Sequence, residues 1–132
     1  MAVVDASILV RALVRTEGSA AAVEWIEGHP LSAPDIILVE TANALWRYVQ
    51  AGRMDCDMAR LLLKEAPLVI DRIVPSVELL DSAIAIACDA QHPVYDCLYL
   101  ALAGAEQAVL GTADRKLASI AQSRGVATEL IA

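Results

Sequence analysis

The N-terminal run Ala2-Val3-Val4-Asp5-Ala6-Ser7-Ile8-Leu9-Val10 sets three small apolar residues before an acid and a second apolar run after it. Such a short run reads as a buried strand. Asp5 then falls where a parallel strand ends and a helix begins, the edge of an open α/β sheet at which ligands bind. Asp5 and Ser7 are also ordinary helix-capping types, because their side-chain oxygens accept from free N–H groups of a first turn. Which role holds depends on whether other acids occupy comparable junctions.

The rest of the chain repeats the alternation. Helices are expected over Ile8–Arg15 and over Ser19–Glu27, the second capped by Ser19 and stopped by Gly28. Leu31-Ser32-Ala33 reads as a strand, and Pro34-Asp35 opens a helix from Ile36 to Gln50, closed by Gly52. Asp55 caps the next helix, with Met58, Leu61 and Leu62 at helical spacing and a stop expected before Pro67. A strand follows within Leu68–Val74, then a helix from Pro75-Ser76, in which Leu80, Ala83, Ile84, Ala87 and Cys88 trace one apolar stripe. Pro93 opens a helix reaching about Gln107. Ala108-Val109-Leu110 is a strand ended by Gly111, Thr112 can cap a helix to Ser123, and Val126–Leu130 closes as a strand. Strands alternating with helices imply an α/β fold, a parallel sheet covered on both faces.

Composition bounds what this fold can do. The 132 residues suit one domain, taken as 1–132, and 58% are hydrophobic, above the usual ~45–50%. No stretch approaches the ~18 uncharged apolar residues of a membrane span. Asp5 comes too early, with no basic start before it, for a signal peptide. Cys56, Cys88 and Cys97 form no C-x-x-C and are odd in number, which points to a reducing cytoplasm and to cysteines used as small helix-core hydrophobes. The net charge is −7, with no basic stripe to hold nucleic acid unaided. Two divalent cations at clustered acids would change −7 to −3.

Four acids sit at comparable places. Glu40 follows four apolar residues, Ile36-Ile37-Leu38-Val39, and Asp96 precedes nine residues without another charge. Burying an unpaired charge is expensive, so each needs a cation or donor partner. Asp114 follows Val109-Leu110-Gly111-Thr112-Ala113, again a strand and turn. The helix dipole favours acids in first turns and accounts for Asp96 or Asp114 taken singly. With Asp5 the set reads as hard oxygen ligands for Mg²⁺ or Mn²⁺. Zinc is disfavoured: His29 and His92 are far apart, with no H-E-x-x-H, and both are expected to be ordinary loop residues.

The pieces Val3-Val4-Asp5-Ala6-Ser7, Ala33-Pro34-Asp35 with Val39-Glu40-Thr41-Ala42-Asn43-Ala44-Leu45, Tyr95-Asp96-Cys97-Leu98-Tyr99-Leu100-Ala101-Leu102-Ala103, and Thr112-Ala113-Asp114-Arg115-Lys116-Leu117 together resemble the PIN-domain nucleases. Within these the chain is similar to the VapC-type toxins of prokaryotic toxin–antitoxin pairs, in order and spacing from Val3 to about Leu130. The resemblance implies a single PIN-like domain with a five-stranded, mainly parallel sheet flanked by helices. It places Asp5, Glu40, Asp96 and Asp114 together at one edge. It also implies an RNA substrate, a homodimer and a cognate antitoxin laid along a helical groove. Gly111 departs from it, since similar proteins often carry a β-branched residue before the threonine.

Four carboxylates supply ligands for one Mg²⁺ and a share of a second, and metal-bound water is a nucleophile for phosphodiester hydrolysis. Asn43 and Arg47, at i+3 and i+7 from Glu40, lie on its face, to orient a carboxylate or water and to hold a substrate phosphate. Ser7 and Thr112 carry hydroxyls two residues from Asp5 and Asp114, as site groups or as caps. Arg115 and Lys116 read as solvated charges before phosphate contacts. The competing reading is a non-catalytic PIN-like scaffold. A dehalogenase-type phosphatase needs Asp-x-Asp where this chain has Ser7, and a receiver domain needs an adjacent acidic pair that is missing.

Overall fold

A computed structural model describes residues 1–131. Five strands, β1 (Ala2–Val4), β2 (Leu31–Pro34), β3 (Arg72–Val74), β4 (Val109–Thr112) and β5 (Thr128–Leu130), form one sheet in the order β3-β2-β1-β4-β5. All four pairings are parallel. The helices are α1 (Ala6–Leu13), α2 (Ser19–Glu27), α3 (Ile36–Gln50), α4 (Cys56–Val69), α5 (Leu80–Ala90), α6 (Val94–Glu106) and α7 (Arg115–Ser123). No described helix is long and apolar enough to cross a membrane.

The strand order explains where a site forms. The chain builds outward from β1 through β2 to β3, then returns to the other side of β1 for β4 and β5. The order therefore reverses between β1 and β4, and at such a switch point the loops diverge and leave a crevice beyond the carboxyl ends of the strands. Asp5 follows β1 directly, and its N–H donates to the Gly111 carbonyl of β4 at 3.2 Å. On the neighbouring side, the Asp35 carboxylate accepts from the Ser76 N–H at 3.0 Å, tying the end of β2 to the end of β3.

Helix α6 carries the core. Cys97, Leu98, Tyr99, Leu100, Ala101, Leu102 and Ala103 are all buried, and the helix packs on β1, β2 and β4. A helix covered on every side has no polar face, which is why the sequence after Asp96 lacks charge. At ~1.5–3 kcal/mol for each large side chain removed from water, this helix is a main source of stability.

Several boundaries differ from expectation. Helix α4 runs through Pro67 to Val69. Proline costs a helix one hydrogen bond and a clash with the preceding turn; the helix nonetheless continues past it, with buried Ala66 packing the last turn. The third strand accordingly shrinks to Arg72–Val74. A 3-10 turn, Ser76–Glu78, precedes α5; Leu79, its buried N-cap, and Ala83 within it face the core. Of the expected stripe, Leu80, Ile84 and Cys88 face solvent. Cys97 is a core residue, whereas Cys56 and Cys88 are exposed. Ser19 lies inside α2 and does not cap it; its hydroxyl accepts from the Thr16 N–H at 2.7 Å and donates to the Val14 carbonyl.

Gly111 does not end β4 but lies within it, and the structure accounts for its lack of a side chain. A Cβ there would meet the Trp25 ring at 2.3 Å, far inside contact distance. Trp25 fills the volume that a β-branched residue would take, and its Nε1–H donates to Glu129 of β5 at 2.7 Å. Gly111→Val should therefore destabilise by about 1–3 kcal/mol through overpacking. Chemical denaturation of Gly111→Val, Trp25→Leu and the double variant checks this: the double variant should be more stable than the two single losses added together.

Candidate active site

The four acids line one cleft of about 600 Å³ at the carboxyl edge of the sheet, with Ser7, Asn43 and Arg47 in its walls. Thr112 stands behind Asp5 and bonds to it. Each acid is placed by a different element and held by a different donor.

Asp5 caps α1: its Oδ1 accepts from the Ile8 N–H at 3.2 Å and from the Ser7 hydroxyl at 2.5 Å. Its Oδ2 accepts from the Thr112 hydroxyl. The two hydroxyls are themselves fixed, since Ser7 Oγ accepts from the Ala113 N–H at 2.9 Å and Thr112 Oγ1 from the Asp114 N–H at 3.0 Å. Ser7 and Thr112 thus stitch the β4–α7 loop to Asp5. The expected cap of α7 by Thr112 is not formed. Asp114 takes that role, its Oδ1 accepting from the Lys116 and Leu117 N–H groups at 2.9 and 3.3 Å. Thr112, at the end of a strand, lies too far back to reach them.

Glu40 extends from α3 and accepts from the Tyr99 hydroxyl of α6 at 2.5 Å. Asp96, in the first turn of α6, pairs through Oδ2 with His92 Nε2 at 2.7 Å. These are the partners that acids beside apolar runs require. Asn43 and Arg47 are exposed on the cleft-facing side of α3; Arg115 and Lys116 are exposed.

Charge is balanced by burial. Asp5 is pushed up to about 6, mainly because it is taken out of water; the bonds from Ser7, Thr112 and Ile8 pull the other way, and Asp96 adds a small rise. Burial also raises Glu40, against the Tyr99 bond and with Asp96. Burial and the Glu40 charge hold the Tyr99 phenol well above its ordinary value, so it stays a donor. Among the described residues no three acid, His or Cys groups form a closed metal cage. An all-oxygen, incompletely converged donor set fits Mg²⁺, which keeps several of its waters and binds through few carboxylates.

Three cleft-lining groups and one behind the cleft were not singled out from the sequence. His92 is not an ordinary loop residue but a buried partner of Asp96. Tyr99 holds Glu40. Neither pairing is legible in helical spacing: His92 precedes α6, and the Tyr99 partner comes from α3. Arg11 of α1 also lines the cleft, its guanidinium packed over Gly18, and Tyr48 lies beyond Arg47. Among the described residues neither Arg11 nor Arg47 is ion-paired with a carboxylate.

A PIN-domain profile matches residues 2–123. The chain belongs to the PIN-domain family. It is 33% identical to Ribonuclease VapC3 of Pyrobaculum aerophilum over 88% of this chain and 91% of that protein. It is 34% identical to Ribonuclease VapC1 of Mycobacterium tuberculosis over 89% and 88%. Among solved structures, PAE2754 from Pyrobaculum aerophilum superposes with a TM-score of 0.74 at 27% identity, over 96% of this chain and 81% of that one. A toxin–antitoxin complex from Klebsiella pneumoniae shares the fold at a TM-score of 0.62 and 19% identity, over 88% of each chain.

The Asp5 shift sets a pH dependence. With a native value near 6 and an ordinary value of 3.8, the native state binds more protons between those limits, so stability falls as pH rises through this window. The loss amounts to about 3 kcal/mol for a shift of roughly two units. Glu40, also raised, acts in the same direction. Melting temperatures in chelator should decline from pH 4 to pH 7. Asp5→Asn should flatten that profile and be at least as stable as the parent at pH 7.

Proposed function

We propose that this chain is a Mg²⁺-dependent endoribonuclease toxin that acts in the cytoplasm and is neutralised by a cognate antitoxin. The observation that carries this reading is four carboxylates in one cleft at the sheet's switch point, each hydrogen-bonded or ion-paired. The ribonuclease names of relatives about one-third identical over most of the chain support the substrate class.

Asp5, Glu40, Asp96 and Asp114 would hold Mg²⁺, or Mn²⁺ in its place. When bound, the ion supplies an acidified water and neutralises charge growing on phosphate oxygens. The protein's part is to hold carboxylate oxygens in place. Ser7 and Thr112 fix Asp5, and Tyr99 fixes Glu40 without becoming charged. Arg11 and Arg47, without carboxylate partners among the described residues, offer forked donors to the phosphates of the strand on either side of the broken bond. Asn43 can orient a carboxylate or a water from the same face of α3. Two cleft arginines let a chain of net charge −7 bind RNA.

Purified protein free of antitoxin should cut structured RNA with Mg²⁺ and stop on chelation. Asp114→Asn and Glu40→Gln should each lower the rate by at least about 100-fold, the scale on which one preorganised charge acts. Arg11→Ala and Arg47→Ala should chiefly raise KM and flatten the salt dependence. Full activity in the acid variants would reject this site and leave a non-catalytic scaffold as the better reading.

The surface supports partners. Val39, Val77, Leu80, Ile84 and Tyr95 are exposed, and an apolar groove between α3 and α4 is lined by Leu38, Val39, Ala42, Leu63 and Pro67, with Leu68 84% exposed beside it on α4. Apolar area of this kind generally marks an interface. The reading is a homodimer, with the antitoxin in a helical groove and a basic antitoxin residue reaching the acidic cleft. Light scattering should give a dimer alone and a larger complex with the adjacent gene's product. A monomer that stays active in that mixture would contradict it.

A further inference from the structure

We infer that His92 is a positioning residue: it holds one oxygen of Asp96 so that the other is presented to the cleft. This rests on the reading that Asp96 is a metal ligand.

The geometry is specific. His92 Nε2 lies 2.7 Å from Asp96 Oδ2, and the imidazole is almost completely buried while the carboxylate is partly exposed. The histidine backbone is anchored independently of the carboxylate. Gln91 takes a left-handed conformation (φ 53°) after α5, the His92 N–H donates to the Ala87 carbonyl at 3.2 Å, and the His92 carbonyl accepts from Cys97 Sγ at 3.9 Å. The ring is thus set by the α5–α6 turn, and Asp96 conforms to it.

The second nitrogen identifies the role. His92 Nδ1 is buried and, among the described residues, has no hydrogen-bond partner. If packing alone were at stake, a leucine would fill the volume without burying an unmet polar atom. The ring is therefore retained for Nε2. The Asp96 carboxylate only accepts, so the nitrogen facing it, Nε2, is the one that donates. Donors of this kind behind a ligating group orient it and tune its affinity, and their loss costs about 10–100-fold in metal binding. Ser7 and Thr112 do the same for Asp5, and Tyr99 for Glu40. His92 completes the pattern for Asp96, the acid whose helix carries the core.

Two measurements on the full chain test this. In the metal-free protein, ¹⁵N spectra should show a proton on His92 Nε2, the nitrogen facing Asp96; an unprotonated Nε2 overturns the inference, because a bare nitrogen would then face the carboxylate. By calorimetry with Mn²⁺, His92→Leu should fold and bind about 10–100-fold more weakly, whereas His92→Gln, whose amide can still donate, should recover most of the affinity. Parental affinity in the leucine variant, or equal losses in both folded variants, overturns the positioning role and leaves the metal site intact. Absence of Mn²⁺ binding in the unaltered protein instead overturns the metal reading, and this inference with it.

Discussion

Keeping one carboxylate, Asp5, out of water at the point where two strands diverge is the constraint on which this molecule depends. β1 and β4 lie side by side, and the loops beyond them part because the strand order reverses there. A buried acid in that gap needs donors, and the chain supplies them from both sides: Ile8 and Ser7 from α1, Thr112 from β4. The same bonds close the sheet edge, since Ser7 and Thr112 also receive the N–H groups of the β4–α7 loop. The donors do not fully offset burial, and Asp5 is held at about 6. A cation in the cleft would recover that residual cost, which links the stability of the fold to occupation of the site.

The second anchor is α6. Its buried length fixes the helix against three strands, so its first turn and its Tyr99 stand at set positions relative to the switch point. Asp96 and the hydroxyl holding Glu40 therefore come from one rigid element. Sites on such elements keep their geometry better than sites on loops. Asp114, exposed at the start of α7, is the least constrained of the four.

Much of this was legible in the sequence, for a physical reason. An acid beside an unbroken apolar run is costly unless it has a partner, so Asp5, Glu40 and Asp96 announce themselves. The alternation of strands and helices likewise fixed the α/β class and the parallel sheet. What stayed hidden depends on tertiary contacts. Thr112 looks like a cap until the strand is seen to carry it to Asp5. His92 looks like a loop residue because its partner lies across a helix start and its backbone is set by a turn. Pro67 suggests a stop, but α4 continues two residues beyond it to Val69. Periodicity in α5 placed Leu80, Ile84 and Cys88 in the core because an exposed apolar stripe and a core stripe share the same spacing.

A cation bound in the cleft would displace the buried proton of Asp5. Mn²⁺ titration calorimetry at pH 6, repeated in buffers of different ionisation enthalpy, measures that link directly. The account predicts release of a substantial fraction of a proton for each ion bound, strongly reduced in Asp5→Asn. Binding without proton release, or proton release unchanged in that variant, would contradict it.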